Sequence, residues 1–249
     1  MDNLRFEKEL FSKNKSSSSL RLGSLKYIVG VDEVGRGCLA GPMVVGAVIL
    51  DPNHLRRLIK LSNMSLLIPP RRDSASSYFS RSSSKKNDVS YLEITDSKKL
   101  SPNKRKRLSD FILKNAMCYS IKVINACTVD SKGLSKCTQI GFGGAVKKLK
   151  ALPDHILTDA FAIKSLPKEV QTNIKRGDTL SISIAAASII AKVYRDELMI
   201  KLHNNNEKYQ IYGFDRHKGY GTKYHLTALE KYGPCDLHRR SFAPVKLLI

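Results

Sequence analysis

The sequence contains no apolar run near the roughly 18 residues that a membrane-spanning helix requires. Its longest apolar stretches are residues 43–50, which have the length of a strand, and residues 182–193, which two serines interrupt. The N-terminus carries acids at Asp2, Glu7 and Glu9, and no apolar segment follows them, which argues against a signal peptide. We therefore expect no membrane association and a cytoplasmic location.

Cysteine is too sparse and too irregularly spaced to build a metal or disulfide framework. There are five cysteines, an odd number, and no two of them form a C-x-x-C pair. Neither a zinc ribbon nor a secreted disulfide scaffold is therefore expected. We expect reduced thiols, in agreement with a cytoplasmic location.

Acidic residues are scarce relative to basic ones. The chain has 22 Asp and Glu against 43 Lys and Arg, so its net charge is +21. Such an excess points to a polyanionic partner, most often a nucleic acid, and the alternative is a chain that is merely basic and soluble. The 249 residues are 42% hydrophobic and 26% charged, which excludes collagen-like, coiled-coil and wholly disordered chains.

Two polar stretches lack the apolar surface that offsets the entropy of ordering a chain. Residues 1–25 contain a run of four serines, and we predict a flexible N-terminal extension there. Residues 62–90 are rich in serine and arginine, and we predict a Ser-rich loop inserted into a domain. That domain is predicted to span residues 26–249.

The remaining segments alternate between strand and helix patterns. Predicted strands cover residues 27–31, 43–50, 91–94, 119–125 and 156–158, and the first two form a hairpin. Predicted helices cover residues 101–117, 135–150, 180–203 and 222–232. Small residues at the start of the third helix let it lie close to a sheet. This order indicates a mixed α/β sheet with a helical C-terminal part.

Acidic side chains stand at the ends of predicted elements. Asp32 and Glu33 close an apolar strand, whereas Asp159 closes a second strand and Asp178 precedes the long helix. Each acid alone fits a solvated turn or a helix N-terminus. Together, four carboxylates would repel a phosphodiester unless divalent metal lay between them, and two Mg²⁺ ions roughly 4 Å apart can activate water and stabilise a leaving oxygen. Because neighbouring strand residues point to opposite faces, Asp32 and Glu33 can serve one site only if the strand ends between them.

Four sequence blocks follow one another along most of the chain. They read YIVGVDEVGRGCLAGPMVVGAVIL at 27–50, TDSKKL at 95–100, RGD followed by SIAAASIIAKV within 176–193, and HKGYGTKYH with HRRSFAPVK within 217–246. In this order they resemble the type 2 ribonuclease H family, bacterial ribonuclease HII. The resemblance implies an RNase H-like mixed β-sheet flanked by helices, and a catalytic domain at residues 26–249.

The same resemblance implies an activity and a cofactor. The expected enzyme hydrolyses the RNA strand of RNA–DNA hybrids and cuts 5′ to single ribonucleotides embedded in duplex DNA, leaving 3′-hydroxyl and 5′-phosphate ends. The cofactor would be Mg²⁺ or Mn²⁺, with two ions per site. The positions that match the family's catalytic metal ligands are Asp32, Glu33, Asp159 and Asp178.

Other matched positions imply contacts with substrate, which would be an RNA–DNA hybrid or DNA with embedded ribonucleotides bound by a monomer. Gly35, Arg36 and Gly37 match the family's substrate-sensing turn, where glycines let backbone groups approach a ribose and its 2′-hydroxyl. Tyr220 matches the tyrosine that the family packs on the deoxyribose after the ribonucleotide. Residues expected to contact phosphates are Lys98, Lys99 and either Arg239 or Arg240.

Four alternative interpretations remain at this point. Ribonuclease HIII shares the core but carries an additional N-terminal domain, for which the residues before Tyr27 are too few. A eukaryotic-type catalytic subunit would need partner proteins, which nothing in the sequence indicates. A basic nucleic-acid-binding protein without activity would explain the charge but not the acids. A different metal-dependent nuclease, such as a resolvase, would explain the acids but not the glycine turn or Tyr220.

Overall fold

The computed structural model describes residues 3–13, 25–65 and 91–249, and within them a five-stranded sheet has the strand order β3-β2-β1-β4-β5. The strands are β1 Ile28–Val34, β2 Met43–Ile49, β3 Cys118–Ile124, β4 His155–Asp159 and β5 Gln171–Ile174. β1 pairs antiparallel with β2, which pairs antiparallel with β3, whereas β4 runs parallel to both β1 and β5. The predicted hairpin and mixed sheet are therefore confirmed.

Helices cover both faces of the sheet and form the C-terminal part. They are α1 Arg5–Lys13, α2 Pro52–Ser65, α3 Pro102–Asn115, α4 Ala126–Lys132, α5 Leu134–Lys147, α6 Gly177–Leu180, α7 Ile182–Asn205, α8 Glu207–Gln210, α9 Phe214–His217 and α10 Lys223–Tyr232. Short 3₁₀ helices lie at Ser97–Lys99, Lys168–Val170 and Val245–Leu248. In the described ranges, no helix has both the length and the apolar character needed to cross a membrane. The helical C-terminal part is confirmed.

The alternation of side chains along β1 separates two apolar cores. Val29 and Val31 pack on one face with Phe142 of α5. Ile28 packs on the other face with Ile184 of α7. Because side chains of a strand alternate between faces, each later residue of β1 points towards one of these two helices. This alternation decides where the acids that follow in the strand lie.

The long helix α7 lies against the sheet at backbone distance. A Cβ atom added to Gly30 would lie 2.0 Å from the carbonyl carbon of Ser183, and one added to Gly46 would lie 2.5 Å from the carbonyl oxygen of Ala187. Only glycine in the strand and small residues in the helix permit this approach. The prediction that small residues bring the long helix close to a sheet is confirmed.

Gly30→Ala is expected to destabilise the protein by about 3 kcal/mol or more, the upper range for overpacking, because backbone atoms of α7 would have to move. Gly143→Ala in α5 is the matched control, since its added Cβ has no neighbour closer than 3.9 Å. That change should stabilise the helix by up to about 1 kcal/mol. Urea denaturation measures both variants. Equal unfolding midpoints would contradict the close approach.

The predicted flexible N-terminal extension is wrong for residues 3–13. Leu4 is buried and forms a backbone bridge with Ser181, the residue that caps α7. Glu7 is fully buried and accepts hydrogen bonds from Ser181 Oγ at 2.6 Å and from the Ser183 backbone N–H at 3.1 Å. Burial raises the pKa of the Glu7 carboxyl. The prediction used the average polarity of residues 1–25 and therefore missed the apolar side of α1, where Phe6, Leu10 and Phe11 pack.

Two further expectations differ from the structure, and one strand, β5, was not predicted. The strand predicted at 91–94 is wrong, because residues 91–92 are helical and the Tyr91 ring packs edge-on against Phe111 at 5.0 Å. Of the predicted Ser-rich loop, residues 62–65 belong to α2, and residues 66–90 lie outside the described part of the chain. Strand β5 reads QTNI and has too few apolar residues to produce a strand pattern.

Helix boundaries follow the capping chemistry of the sequence. The Ser101 hydroxyl accepts from the Lys104 backbone N–H, and Pro102 occupies the first position of α3. The Thr222 hydroxyl accepts from the His225 backbone N–H at the start of α10, which ends at Gly233 with a positive φ of 69°. The predicted helices at 101–117 and 222–232 therefore begin at residues whose side chains cap α3 and α10.

Candidate active site

Three predicted acids converge where two parallel strands end. Val31 of β1 pairs with Thr158 of β4, so the next residues, Asp32 and Asp159, lie side by side at this edge of the sheet. Asp32, Glu33 and Asp159 line one cavity of about 250 Å³. Asp178 lies in α6, directly before α7, and is buried beside the cavity rather than in its lining.

The condition that β1 must end between the first two acids for them to share a site is wrong, because the strand continues to Val34 and both acids still line the cavity. Asp32 points to the face of α7, where its carboxylate lies within hydrogen-bonding reach of Ser188. Glu33 points to the opposite face, where its Oε1 accepts a hydrogen bond from Arg36 Nη1 at 3.3 Å. Both acids share the cavity because it lies at the end of the strand and reaches both faces of the sheet.

The electrostatics around Asp32 are strongly unfavourable to a bare carboxylate. Burial raises its pKa well above the usual value, and the neighbouring charge of Asp159 raises it further. The hydrogen bond from Ser188 acts in the opposite direction, and Glu33 and Asp178 add smaller effects that raise the pKa of Asp32. A positive charge placed among these side chains would relieve the repulsion.

Two other acids have partial counterions. Burial raises the pKa of Glu33, while the guanidinium of Arg36 acts in the opposite direction. Burial and the nearby Asp96 raise the pKa of Asp178, and Lys98, whose Nζ lies 3.8 Å from Asp178 Oδ2, lowers it. These cations lie at the periphery of the cavity, so they compensate only part of the repulsion between the carboxylates.

The donor set fits a hard divalent cation held in part by the substrate. Glu33 Oε2 is buried and has no hydrogen-bond partner among the described residues, which marks an oxygen available as a ligand. Across residues 3–13, 25–65 and 91–249, no three His, Cys, Asp or Glu side chains are placed so that they alone could hold a metal ion. Mg²⁺ is typically bound by one or two carboxylates, water and substrate phosphates rather than by a protein cage. Carboxylate oxygens also suit Mn²⁺.

The turn at residues 35–37 is held by a buried arginine. Gly35 has a φ of +84°, and a Cβ atom there would lie 2.1 Å from Arg195 Nε. Arg239 donates hydrogen bonds of 2.6 Å to the carbonyl oxygens of both Gly35 and Arg36 and one of 3.0 Å to that of Gly41. Burial lowers the pKa of Arg239 to about 10.

Of the two arginines expected as alternative phosphate contacts, Arg239 is therefore not placed to make one. Its guanidinium is fully buried, and its fixed donors serve backbone carbonyls instead. Arg240 is exposed, and its phosphate contact stays a prediction. The two neighbouring arginines look alike in sequence, and only the fold separates their roles.

Arg239→Lys should lower the free energy of unfolding by about 2–4 kcal/mol. A lysine keeps the charge but lacks the planar fork, and each buried carbonyl left unsatisfied costs about 1–3 kcal/mol. Arg240→Lys, at an exposed position, should change stability by less than about 0.5 kcal/mol. The check is urea unfolding of both variants beside the wild type; a loss below about 1 kcal/mol for Arg239→Lys would refute the arrangement.

The structure brings most of the predicted substrate-binding residues to the cavity. Gly35, Arg36, Lys98 and Tyr220 line it, whereas Gly37 does not. The Lys98 side chain is 82% exposed, which leaves its ammonium free to turn towards a phosphate. Tyr220 is about 38% exposed, and burial raises the pKa of its hydroxyl to about 12.

Sequence reasoning did not single out two further residues of the cavity wall. Ser188 of α7 shares a hydrogen bond of 3.0 Å with Ser97 and faces Asp32. Lys192, one turn later, places its Nζ 5.1 Å from the Tyr220 ring centre. Lys192 and Tyr220 also line a larger groove of about 640 Å³ beside α3 and α7. The spacing of four residues in a helix, which puts Ser188 and Lys192 on one face, was the available signal.

Comparison with known proteins identifies the family. The family model described as ribonuclease HII matches residues 29–65 and 79–245. Ribonuclease HII of Acholeplasma laidlawii is 39% identical over 249 residues, which is 100% of this chain and 98% of that protein. Ribonuclease HII of Chlamydia caviae is 37% identical over 246 residues, covering 98% and 97% of the two chains.

Solved structures agree on the fold. The crystal structure of ribonuclease H2 from Pyrococcus horikoshii OT3 has a TM-score of 0.63 with this chain at 20% sequence identity. The superposition covers 89% of this chain and 96% of the Pyrococcus chain. At this level of identity the likeness concerns the architecture alone. On the strength of the matched sequences, the chain belongs to the ribonuclease HII family and is an endoribonuclease of the type 2 ribonuclease H class.

Proposed function

We propose that this ribonuclease hydrolyses the RNA strand of RNA–DNA hybrids and also cuts 5′ to single ribonucleotides embedded in duplex DNA. The products carry 3′-hydroxyl and 5′-phosphate ends, and two divalent ions, Mg²⁺ or Mn²⁺, act in each site. The observation that carries this proposal is the convergence of three carboxylates on one cavity, with Asp178 beside them. The chain has a charge of +21, and a carboxylate cluster in it is explained if cations bridge the carboxylates to a phosphodiester.

The ligands of the ions would be Asp32, Glu33, Asp159 and Asp178. When bound, the ions lower the pKa of a water nucleophile and stabilise the oxygen that leaves. Asp159 is oriented for this role, because its Oδ1 accepts a hydrogen bond of 2.7 Å from the Gly177 backbone N–H. The unpaired Glu33 Oε2 and the strongly raised pKa of Asp32 support the same assignment.

The turn at residues 35–37 would recognise the 2′-hydroxyl, the group that distinguishes RNA from DNA. Its backbone is fixed by Arg239, so donors and acceptors are in place before the substrate arrives. The Arg36 guanidinium lies 4.3 Å from the Phe161 ring centre and hydrogen-bonds to Glu33, which holds the side chain at the cavity rim. A turn fixed in this way would distinguish RNA from DNA by the position of its hydrogen-bonding groups rather than by their charge.

Basic side chains on both sides of the cavity would hold the backbone of the substrate. Lys98 lies beside Asp178, and Lys192 lies beside Tyr220 at the entrance to the larger groove. Phosphate contacts of this kind provide affinity that weakens with salt. The Tyr220 ring would pack on the deoxyribose that follows the ribonucleotide.

The proposal is tested by the chemistry of the products and by the ions. A labelled RNA–DNA hybrid is cleaved in Mg²⁺, in Mn²⁺ and in a chelator, and the ends are mapped. We expect cleavage with either ion and none with the chelator, and products that a polymerase extends directly from the 3′-hydroxyl. Calorimetric titration with Mn²⁺ gives the stoichiometry independently of activity. Cleavage in the chelator, or products with 3′-phosphate ends, would refute the mechanism.

A further inference from the structure

The loop that carries Tyr220 is held by two buried histidines. The Gly219 backbone N–H donates to His217 Nδ1 at 3.2 Å. On the other side, the Tyr220 carbonyl oxygen lies 2.9 Å from His225 Nδ1. His225 is completely buried, and the His217 and His225 rings stack with their centres 4.4 Å apart. The backbone on either side of Tyr220 therefore depends on imidazole hydrogen bonds.

A chain of hydrogen bonds extends from His225 away from the cavity. His225 Nε2 lies 3.0 Å from His238 Nε2. His238 Nδ1 accepts a hydrogen bond of 3.0 Å from the Cys235 backbone N–H, and the Cys235 thiol lies 3.2 Å from the same nitrogen. We call this set, from Cys235 through His238 and His225 to the Tyr220 carbonyl, the histidine relay.

The relay permits one assignment of protons. Since a backbone N–H can only donate, His238 Nδ1 must be the acceptor and its Nε2 must carry the hydrogen. That hydrogen points at His225 Nε2, so His225 carries its own hydrogen on Nδ1 and donates it to the Tyr220 carbonyl. The hydrogen bonds that lead from the Cys235 backbone N–H through both rings to the Tyr220 carbonyl are then all satisfied with both rings neutral.

The surroundings keep both rings neutral. Burial is the main cause that lowers the pKa of His225 and of His238 to about 4 each, and the neighbouring His217 imidazole acts in the same direction on both. The Phe214 ring contacts His225 edge-on with a centre distance of 5.5 Å, so one side of the relay is apolar. Asp236 is the acid near His238, and it bonds to Lys208 and Tyr209 instead.

We propose that His225, whose tautomer is fixed by His238, is a positioning residue that sets the backbone of Tyr220 so that its ring meets the sugar beyond the scissile ribonucleotide. This inference extends the proposed function and depends on the role given there to Tyr220. The Tyr220 carbonyl also accepts a hydrogen bond from the Thr222 N–H at 2.8 Å. The turn is therefore formed without His225, and the hydrogen bond from His225 fixes the orientation of the carbonyl. Small displacements of a substrate-contacting group can lower rates greatly.

Two substitutions of His225 separate positioning from general packing. The amide nitrogen of asparagine lies at the same number of bonds from the backbone as Nδ1, so His225→Asn can still donate to the Tyr220 carbonyl. The amide of glutamine lies at the distance of Nε2, so His225→Gln keeps the contact with His238 and loses the one with Tyr220. The measured quantity is the ratio of kcat/KM on a duplex with one ribonucleotide to kcat/KM on a continuous hybrid.

We expect His225→Asn to keep this ratio within about two-fold of wild type. His225→Gln should lower it about five- to ten-fold, by the loss of one ordering hydrogen bond. Adding Tyr220→Ala to His225→Gln should bring the ratio to that of Tyr220→Ala alone, because the two changes affect one contact. Circular dichroism and thermal unfolding confirm that each variant is folded.

The outcomes distinguish the inference from the proposed function. If Tyr220→Ala itself leaves the ratio unchanged, the role of Tyr220 is refuted, and the positioning inference with it. If Tyr220→Ala lowers the ratio but His225→Gln does not, or if both His225 variants lower it equally, the positioning inference alone is overturned.

A measurement on the unaltered protein covers the case in which a variant does not fold. Nitrogen-15 NMR of the histidine side chains at pH 7 reports which ring nitrogen carries the proton. We expect His225 to be protonated on Nδ1 and His238 on Nε2. The opposite tautomer of His225, or a charged ring, would overturn the relay.

Discussion

Asp159→Asn is expected to lower the rate of RNA cleavage by about three orders of magnitude or more while hybrid affinity stays within about three-fold. Asparagine keeps the side-chain oxygen that accepts from the Gly177 N–H, so the local structure is preserved. It removes the charge that couples to Asp32 at the end of β1. Binding should be retained or improved, because a charge that repels phosphate is gone.

Single-turnover cleavage and equilibrium binding, both at saturating Mg²⁺, measure the two quantities separately. Asp110→Asn is the matched control, since Asp110 is an exposed acid of α3 that pairs with Lys106. It should cleave at the wild-type rate. If Asp159→Asn retained more than a tenth of that rate, Asp159 would not be part of the chemistry.

Tyr220→Ala is expected to lower kcat/KM by about 10- to 100-fold on duplex DNA that carries one ribonucleotide, since stacking on a ring contributes roughly 1–3 kcal/mol. On a continuous RNA–DNA hybrid the sugar beyond the cut is a ribose, and the loss should be smaller. Tyr220→Phe should have little effect on either substrate, because the ring and not the hydroxyl makes the contact.

The control for surface aromatics is Tyr232→Ala, whose side chain is exposed at the end of α10. It should leave both substrates unaffected. Equal losses on the two substrates for Tyr220→Ala would contradict recognition of the RNA–DNA junction, and a Phe variant as impaired as the Ala variant would implicate the hydroxyl.

The strands and helices with strong local patterns could be predicted from the sequence. The apolar run that forms β2, the Ser-Pro start of α3 and the Gly-Pro end of α10 contain their own boundaries. Strand β5 and helix α1 could not be predicted in this way, because tertiary contacts rather than local sequence stabilise them. The four polar-leaning residues QTNI pair with β4, and Glu7 is buried only because α7 supplies its partners.

The acids of the candidate site could be predicted because carboxylates at the ends of apolar strands are conspicuous. How Asp32 and Glu33 reach one cavity could not be predicted, because β1 continues past both acids to Val34 and the cavity at its end reaches both faces of the sheet. The arginines show the same limit. Arg239 and Arg240 are adjacent and chemically identical, yet one is fully buried against backbone carbonyls and the other is exposed.

The histidine relay was outside the reach of sequence reasoning for a further reason. Its members are separated by three to thirteen positions, and their hydrogen bonds depend on the packing of α9, α10 and the segment after α10. No spacing rule relates them. Only the folded structure shows that the hydrogen bonds of the buried imidazoles lead to Tyr220, the residue proposed to contact the substrate.

The most direct test of the account compares two duplexes that differ in a single 2′-hydroxyl. One is all DNA, and the other carries one ribonucleotide at the same position, with both assayed in Mg²⁺ under single-turnover conditions. The proposed function predicts one cut, on the 5′ side of the ribonucleotide, and no cleavage of the all-DNA duplex. Cleavage of both duplexes at similar rates, or cleavage of neither, would contradict it.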